Sequence, residues 1–253
     1  MSRLILIRHA QASFSPDPAR AFVDYDQLSP LGHEQADALG EELVAAGIAF
    51  DRVYTGPAAR QRQTAEAVAA VYARHGRRFP QLLPSEGLEE HGGATVVRRA
   101  LADPEYEQDR VRLDVAVGRA GGGGASGEAT QVEASRAYFT VFRSVTRRWA
   151  RGELSESLAH ESWQAFRARV EAGVRRIVEE AGRGVIVAAF TSGGPIGSTV
   201  AWALGLDDEK ALELAWTVEN ATLTELLFTT ERVSLKSFNA QPRIGSPELV
   251  TYV

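Results

Sequence analysis

A short, unbroken apolar run that ends in a charged pair constrains this chain more than any other stretch of it. Leu4-Ile5-Leu6-Ile7 shows no polar alternation, the pattern of a strand buried on both faces of a parallel sheet, and it stops abruptly at Arg8-His9. A charged pair directly after such a strand belongs at the carboxyl edge of an open α/β sheet, where ligand sites gather. Val185 to Phe190 is a second run of the same kind. It leads through Thr191-Ser192-Gly193-Gly194-Pro195 into a helical stretch from Ile196 to Leu204. Two buried strands that both open into a reactive or glycine-rich turn predict one pocket at their carboxyl ends.

The pattern between them alternates. Ser29-Pro30 reads as a helix cap followed by a first-turn proline, and Ala36, Leu39, Leu43 and Ala46 recur at helical spacing up to Gly47. Phe50 to Tyr54 predicts a second strand and Pro57 to about His75 a second helix, a β-α-β-α order that implies a mainly parallel sheet. Val132, Ser135, Phe139, Phe142, Val145 and Trp149 trace one helical face; Trp163, Phe166, Val170, Val174, Ile177 and Ala181 trace another. Leu223 to Phe228 and Val233 to Phe238 predict a closing pair of strands, joined as a hairpin through Thr229 to Arg232. Periodicity weakens from Pro84 to about Gly127, and residues 91–127 are expected to be an insertion or lid within one domain spanning 1–253. The expected fold is an α/β three-layer sandwich around a mixed, mostly parallel sheet.

Composition removes several function classes. A formal charge of −5 argues against a broad nucleic-acid surface, because phosphate backbones select basic faces. No apolar run approaches the ~20 residues needed to cross a bilayer, and residues 1–8 hold too short an apolar region for a secretory signal, so a cytoplasmic address is expected. With 0 cysteines the chain has no thiol nucleophile, disulfide or thiolate metal site. Neither H-E-x-x-H nor a dense His/Asp cluster is present, so no metal or cofactor is expected. Gly122 to Gly127 satisfies G-x-G-x-x-G literally but lacks a convincing preceding strand and a βαβ unit.

Phosphoryl transfer needs a nucleophile in line with phosphorus, cations for the equatorial oxygens and an acid for the leaving oxygen. A neutral imidazole at His9 can attack through one ring nitrogen if the other gives its proton to a fixed acceptor, and Arg8 beside it can hold phosphate. The string Arg8-His9-Ala10-Gln11 resembles the signature of the histidine phosphatase superfamily, also called the phosphoglycerate mutase-like family. Tyr54 to Ala65 resembles that family's second block, a Ser-Pro-Leu-x-Arg-Ala-x-Gln-Thr-Ala type string whose arginine aligns with Arg60. Gly87-Leu88-Glu89-Glu90 is similar to its Leu-x-Glu segment, which implies Glu90 as proton donor, with Glu89 as the register alternative. Leu28 to Ala36 and Glu219 to Thr224 resemble supporting segments of the family.

In the fourth block the chain departs from the family's pattern. Val185 to Ile196 resembles the last core strand and its His-Gly-Gly turn, and the resemblance puts Ser192 where the family has its second histidine. A serine can donate one hydrogen bond to a phosphate oxygen but carries no charge, and loss of one charge-stabilising donor costs about 10²–10³ in rate. The amides of Gly193 and Gly194 at a helix start offer an anion site beside it, and His91 or His160 is a conceivable replacement cation. Gln11, Ser13 and Gly193 are the further substrate-contact candidates. The resemblance implies a metal-independent phosphoric monoester hydrolase acting through a phosphohistidine at His9, with Arg8, Arg60, Glu90 and Ser192 in the site. Its partners would be a small phosphorylated substrate or inorganic phosphate, with no nucleic acid and no membrane, and a homodimer is a possible assembly. Mutase-type phosphotransfer and a catalytically impaired phosphate-binding protein are the alternatives.

Overall fold

A computed structural model describes residues 2–13, 26–111, 127–154, 156–241 and 249–251. Six strands form one sheet. They are β1 (Ser2–Arg8), β2 (Arg52–Thr55), β3 (Leu82–Pro84), β4 (Ile186–Thr191), β5 (Leu223–Phe228) and β6 (Val233–Ala240), in the order β3-β2-β4-β1-β5-β6. The four strands from β3 to β1 run parallel, and β5 and β6 add an antiparallel edge, giving the mixed, mostly parallel sheet that the alternating pattern predicts.

The run Leu4 to Ile7 is apolar throughout because both faces of β1 are covered. Ile5 and Ile7 point into one core with Val53, Ala188 and Phe190, beneath helices α1 (Pro30–Ala45) and α2 (Ala59–Arg74). Leu4 and Leu6 point into the other, with Val187 and Ala189, beneath α4 (Gly127–Ala150), α5 (Trp163–Ala181) and α6 (Gly193–Leu204). Strand side chains alternate between faces, so each strand contributes to two cores at once. On α5, all six residues predicted from periodicity are buried. At about 1.5–3 kcal/mol for each large side chain removed from water, that stripe alone anchors the helix. Ser29 caps α1 as its sequence implies, its hydroxyl accepting from Gly32 N at 3.0 Å.

Several elements differ from expectation. Among the described side chains the α4 stripe is rotated: Val145 and Trp149 are buried as predicted, but Tyr138 and Val141 join them while Phe139 and Phe142 are only half-buried, and Val132 and Ser135 lie outside the described side chains. A long helix with apolar residues around much of its girth leaves the choice of face to its neighbours. Strand β3 was not foreseen because three residues ending in proline show no alternation. Helix α7 (Asp208–Thr217) was missed because its buried face is only Ala211, Leu212 and Ala215, although Asp207 caps it through Lys210 N at 2.8 Å. Within residues 91–127, α3 (Gly93–Ala102) packs Val96, Val97 and Ala100 into the core. Residues 112–126, which hold the glycine run and most of the G-x-G-x-x-G string, lie outside the described residues. No helix among the described residues is long and apolar enough to cross a membrane.

Candidate active site

Strands β1 and β4 end side by side, with Arg8 opposite Thr191 and His9 N donating to Thr191 O at 2.8 Å. This register sets His9 and Ser192 next to each other at the carboxyl edge, as the two strand-to-turn patterns predict. His9 is buried, and its backbone carbonyl accepts from Asn220 Nδ2 at 3.0 Å and Ala221 N at 3.4 Å. Ala221 has φ +57°, a left-handed conformation costly for a residue with a Cβ and characteristic of functional turns. The Glu219 to Thr224 segment, read from sequence as structural, therefore fixes the backbone on which His9 sits.

The His9 ring has a defined tautomer. Its Nδ1 lies 2.8 Å from the carbonyl oxygen of Ala10, which can only accept, so Nδ1 carries the proton. Nε2 is then a lone pair, and it accepts from Arg60 Nε at 3.2 Å. Burial, followed by the charges of Arg60 and Arg8, holds the imidazole well below its ordinary pKa of 6.5, which keeps it neutral and nucleophilic.

Both arginines are buried and braced. Arg8 donates to the carbonyl of Val218. Arg60, in the first turn of α2, reaches Asp26 Oδ1 at 3.1 Å through Nη1, while the same carboxylate oxygen accepts from Ala59 N at 2.9 Å. Thr64, one turn further along α2, accepts from Ala10 N at 3.0 Å and ties the nucleophile's loop to the helix that carries Arg60. Asp26 gave no sequence signal, since a carboxylate in a loop is ordinarily a solvated one.

The acid side is built differently. Glu90 is held at the start of α6: its Oε2 accepts from Gly194 N at 3.1 Å and its Oε1 from His91 N at 2.8 Å. A Cβ on Gly194 would collide with that carboxylate, so the second glycine of the turn makes room for it. This corrects the expectation that the Gly194 amide offers an anion site, because Glu90 already fills it. Gly193 lies against the carbonyl of Ala215, where a Cβ would sit 2.7 Å away, and it packs α6 on α7. The Glu90 loop is anchored from below, where Gly87 and Gly173 of α5 meet so closely that a Cβ on Gly87 would lie 2.5 Å from Gly173 Cα. Glu89 is exposed and Glu90 half-buried.

Both histidines considered as substitute cations are engaged by other partners. His91 accepts from Gly93 N through Nδ1 at 3.0 Å and is enclosed by Trp149, Trp163 and Phe166. His160 lies 3.2 Å from an exposed Arg99 nitrogen. Gln11 accepts from the Ser29 hydroxyl at 2.8 Å, and Ser13 donates to Leu28 O at 3.3 Å, so both brace the loop after the nucleophile. Ser192 is fully buried, its hydroxyl 2.8 Å from Gln61 Nε2. Among the described residues no group of three or more His, Cys, Asp or Glu side chains is arranged to hold a metal ion.

The histidine phosphatase superfamily (branch 1) model matches residues 4–95 and 124–241, which include every residue of this cluster. The chain belongs to that superfamily. The match leaves out residues 96–123, inside the segment read as an insertion. Solved structures of similar fold cover nearly the whole length of the chain. A phosphoserine phosphatase mutant from Entamoeba histolytica, in complex with phosphoserine, superposes with a TM-score of 0.60 at 16% identity over 96% of this chain and 99% of that one. Phosphoglycerate mutase from Bacillus anthracis gives a TM-score of 0.60 at 18% identity over 96% and 95%. At these identities the likeness establishes the shared fold. By sequence, a 67-residue stretch is 34% identical to 2-carboxy-D-arabinitol-1-phosphatase of Triticum aestivum, covering 26% of this chain and 13% of that protein.

Proposed function

We propose that this histidine phosphatase is a metal-independent phosphoric monoester hydrolase that works through a phosphohistidine at His9 on small phosphorylated metabolites. The observation that carries the reading is the neutral imidazole with its Nε2 lone pair aimed at Arg60. Arriving phosphate takes over the guanidinium donors of Arg60 and Arg8, which releases Nε2 to attack phosphorus. The P–O ester bond breaks as the N–P bond forms, and protonated Glu90 gives its proton to the departing alkoxide, which leaves as alcohol. Water then attacks phosphorus, Glu90 takes the proton from it, and inorganic phosphate departs with His9 regenerated. The relatives named above include phosphatases of small phosphorylated metabolites, which favours hydrolysis over mutase-type transfer.

A second reading, a phosphate-binding protein with little turnover, is favoured by one observation: Ser192 supplies no charge where the family resemblance places a second histidine. The two readings part on one experiment. Metal-free protein is incubated with an aryl phosphate and a panel of phosphorylated metabolites beside His9→Ala. Turnover that vanishes in the variant supports the hydrolase; phosphate binding without turnover on any substrate supports the binding protein.

A further inference from the structure

Gln61 lies fully buried beside the site, and its carboxamide has only one orientation that satisfies its neighbours. Oε1 accepts from Ala58 N at 3.2 Å, the reach-back half of a capping box, and Nε2 donates to Leu88 O at 3.1 Å. A backbone amide cannot accept and a carbonyl cannot donate, so these two contacts fix which end is nitrogen. The second Nε2 proton is therefore the one directed at Ser192 Oγ, 2.8 Å away. Ser192 is the acceptor in that bond, and its own proton points elsewhere. Among the described residues no protein acceptor takes it. In the string that this part of α2 resembles, the residue after the arginine is alanine, so the longer Gln61 side chain occupies space next to the serine.

We propose that Gln61 is a positioning residue that turns the Ser192 hydroxyl into an oriented donor to a phosphoryl oxygen held at His9. The inference deepens the hydrolase reading and rests on it for its kinetic readout. Three observations converge: Ser192 neighbours His9 across the β1–β4 register, its hydroxyl is buried, and its lone pair is already engaged by an amide that cannot reverse its role. An oriented neutral donor takes the place of a cation, at the cost of charge but with little reorganisation on phosphate binding. The same carboxamide lies 2.8 Å from the Ser192 hydroxyl, so a larger side chain at position 192 meets it. Ser192→His alone is therefore expected to gain nothing, and to gain activity only when Gln61 is shortened.

The test is a double-mutant cycle of Gln61→Ala and Ser192→Ala, read on kcat/KM with an aryl phosphate and on calorimetric affinity for inorganic phosphate. Each single variant is expected to lower kcat/KM about 10-fold, with the double no worse than about 10-fold, because one residue acts through the other. Gln61→Glu keeps the volume but draws the serine proton to itself, so it is expected to lose at least as much as Gln61→Ala. Effects that multiply to about 100-fold in the double variant overturn the proposal. So does a fall in thermal midpoint with kcat/KM of the folded protein unchanged, which is the signature of a merely structural glutamine. Activity raised by Ser192→His in the wild-type background also overturns it. If the wild type turns over no ester, the hydrolase reading fails by itself and the cycle is decided on phosphate affinity. If it binds no phosphate either, both fail.

Discussion

The ends of β1 and β4 are neighbours in one register, yet they are built to opposite electrostatic purposes. At the end of β1 a neutral histidine is pressed between two buried guanidiniums and held in one tautomer by a carbonyl. At the end of β4 a serine is held by an amide, and the helix start beyond it receives a carboxylate from another segment. One strand end gathers guanidinium donors, whereas the other holds a carboxyl group on backbone amides. This asymmetry keeps nucleophile and acid apart: Arg60 is braced by Asp26, while the Glu90 carboxyl at the α6 start is held by two backbone amides, with His91 Nε2 3.7 Å from its Oε1.

The strongest way to break this comparison is to remove the nucleophile. His9→Ala is expected to abolish turnover, by about 10⁴-fold or more, while inorganic phosphate still binds, since Arg8 and Arg60 remain. Residual turnover close to wild type in a stopped assay would place the chemistry elsewhere. On the opposite strand end, Glu90→Gln is expected to cost about 10²–10⁴-fold with an alkyl phosphate and much less with an aryl phosphate, whose leaving group needs little protonation. Equal losses on both substrates would remove Glu90 from the acid role.

A smaller effect separates the two ends without touching either reactive group. Gly173→Ala places a methyl group against Gly87, and neither backbone can move without shifting the turn of residues 86–88 that precedes Glu90. Overpacking of this kind costs about 1–3 kcal/mol, to be measured by denaturant unfolding. Turnover of an alkyl phosphate is expected to fall while phosphate affinity at the His9 end is retained. A loss of affinity as large as the loss of turnover would mean that the two ends are not independent.

The degree to which each end was legible in the sequence follows the same division. The sequence signal of the β1 end is local: apolar run, charged pair and following loop are contiguous, so Leu4 to Gln11 already predicts a buried strand opening into a site, although Arg60, Val218 and Asn220 reach it from afar. The fold was legible for a related reason, because the stripes of α1 and α5 and the alternating β-α order are properties of single segments. What brings the β4 end together is non-local. The contact of Gln61 with Ser192, that of Glu90 with Gly194 and that of Gly87 with Gly173 each join residues more than 80 positions apart. A glycine read as part of an anion site makes room for a carboxylate, and no spacing rule distinguishes the two. Gln61 itself looked like one more polar residue in the run Arg60-Gln61-Arg62-Gln63 at the start of its helix.

The smallest expected effect concerns how the β1 end responds to acid. His9 has its pKa lowered below 6.5 in the folded protein, chiefly by burial and then by Arg60 and Arg8. Unfolding restores the ordinary value, so below about pH 6.5 the unfolded chain binds a proton that the folded one refuses. The sign is therefore destabilising on acidification: stability contributed by the neutral ring is fully present above pH 6.5 and is lost as pH falls toward the folded pKa. One proton taken up on unfolding gives a slope of at most about 1.4 kcal/mol per pH unit. His9→Gln cannot titrate, so its unfolding free energy is expected to fall less steeply than that of the wild type between about pH 6.5 and 5, measured by urea titration at each pH. Parallel pH profiles for the two proteins would mean that His9 is protonated as readily folded as unfolded. The neutral, Arg60-directed nucleophile at the end of β1 would then be untenable, and with it the electrostatic contrast between the two strand ends.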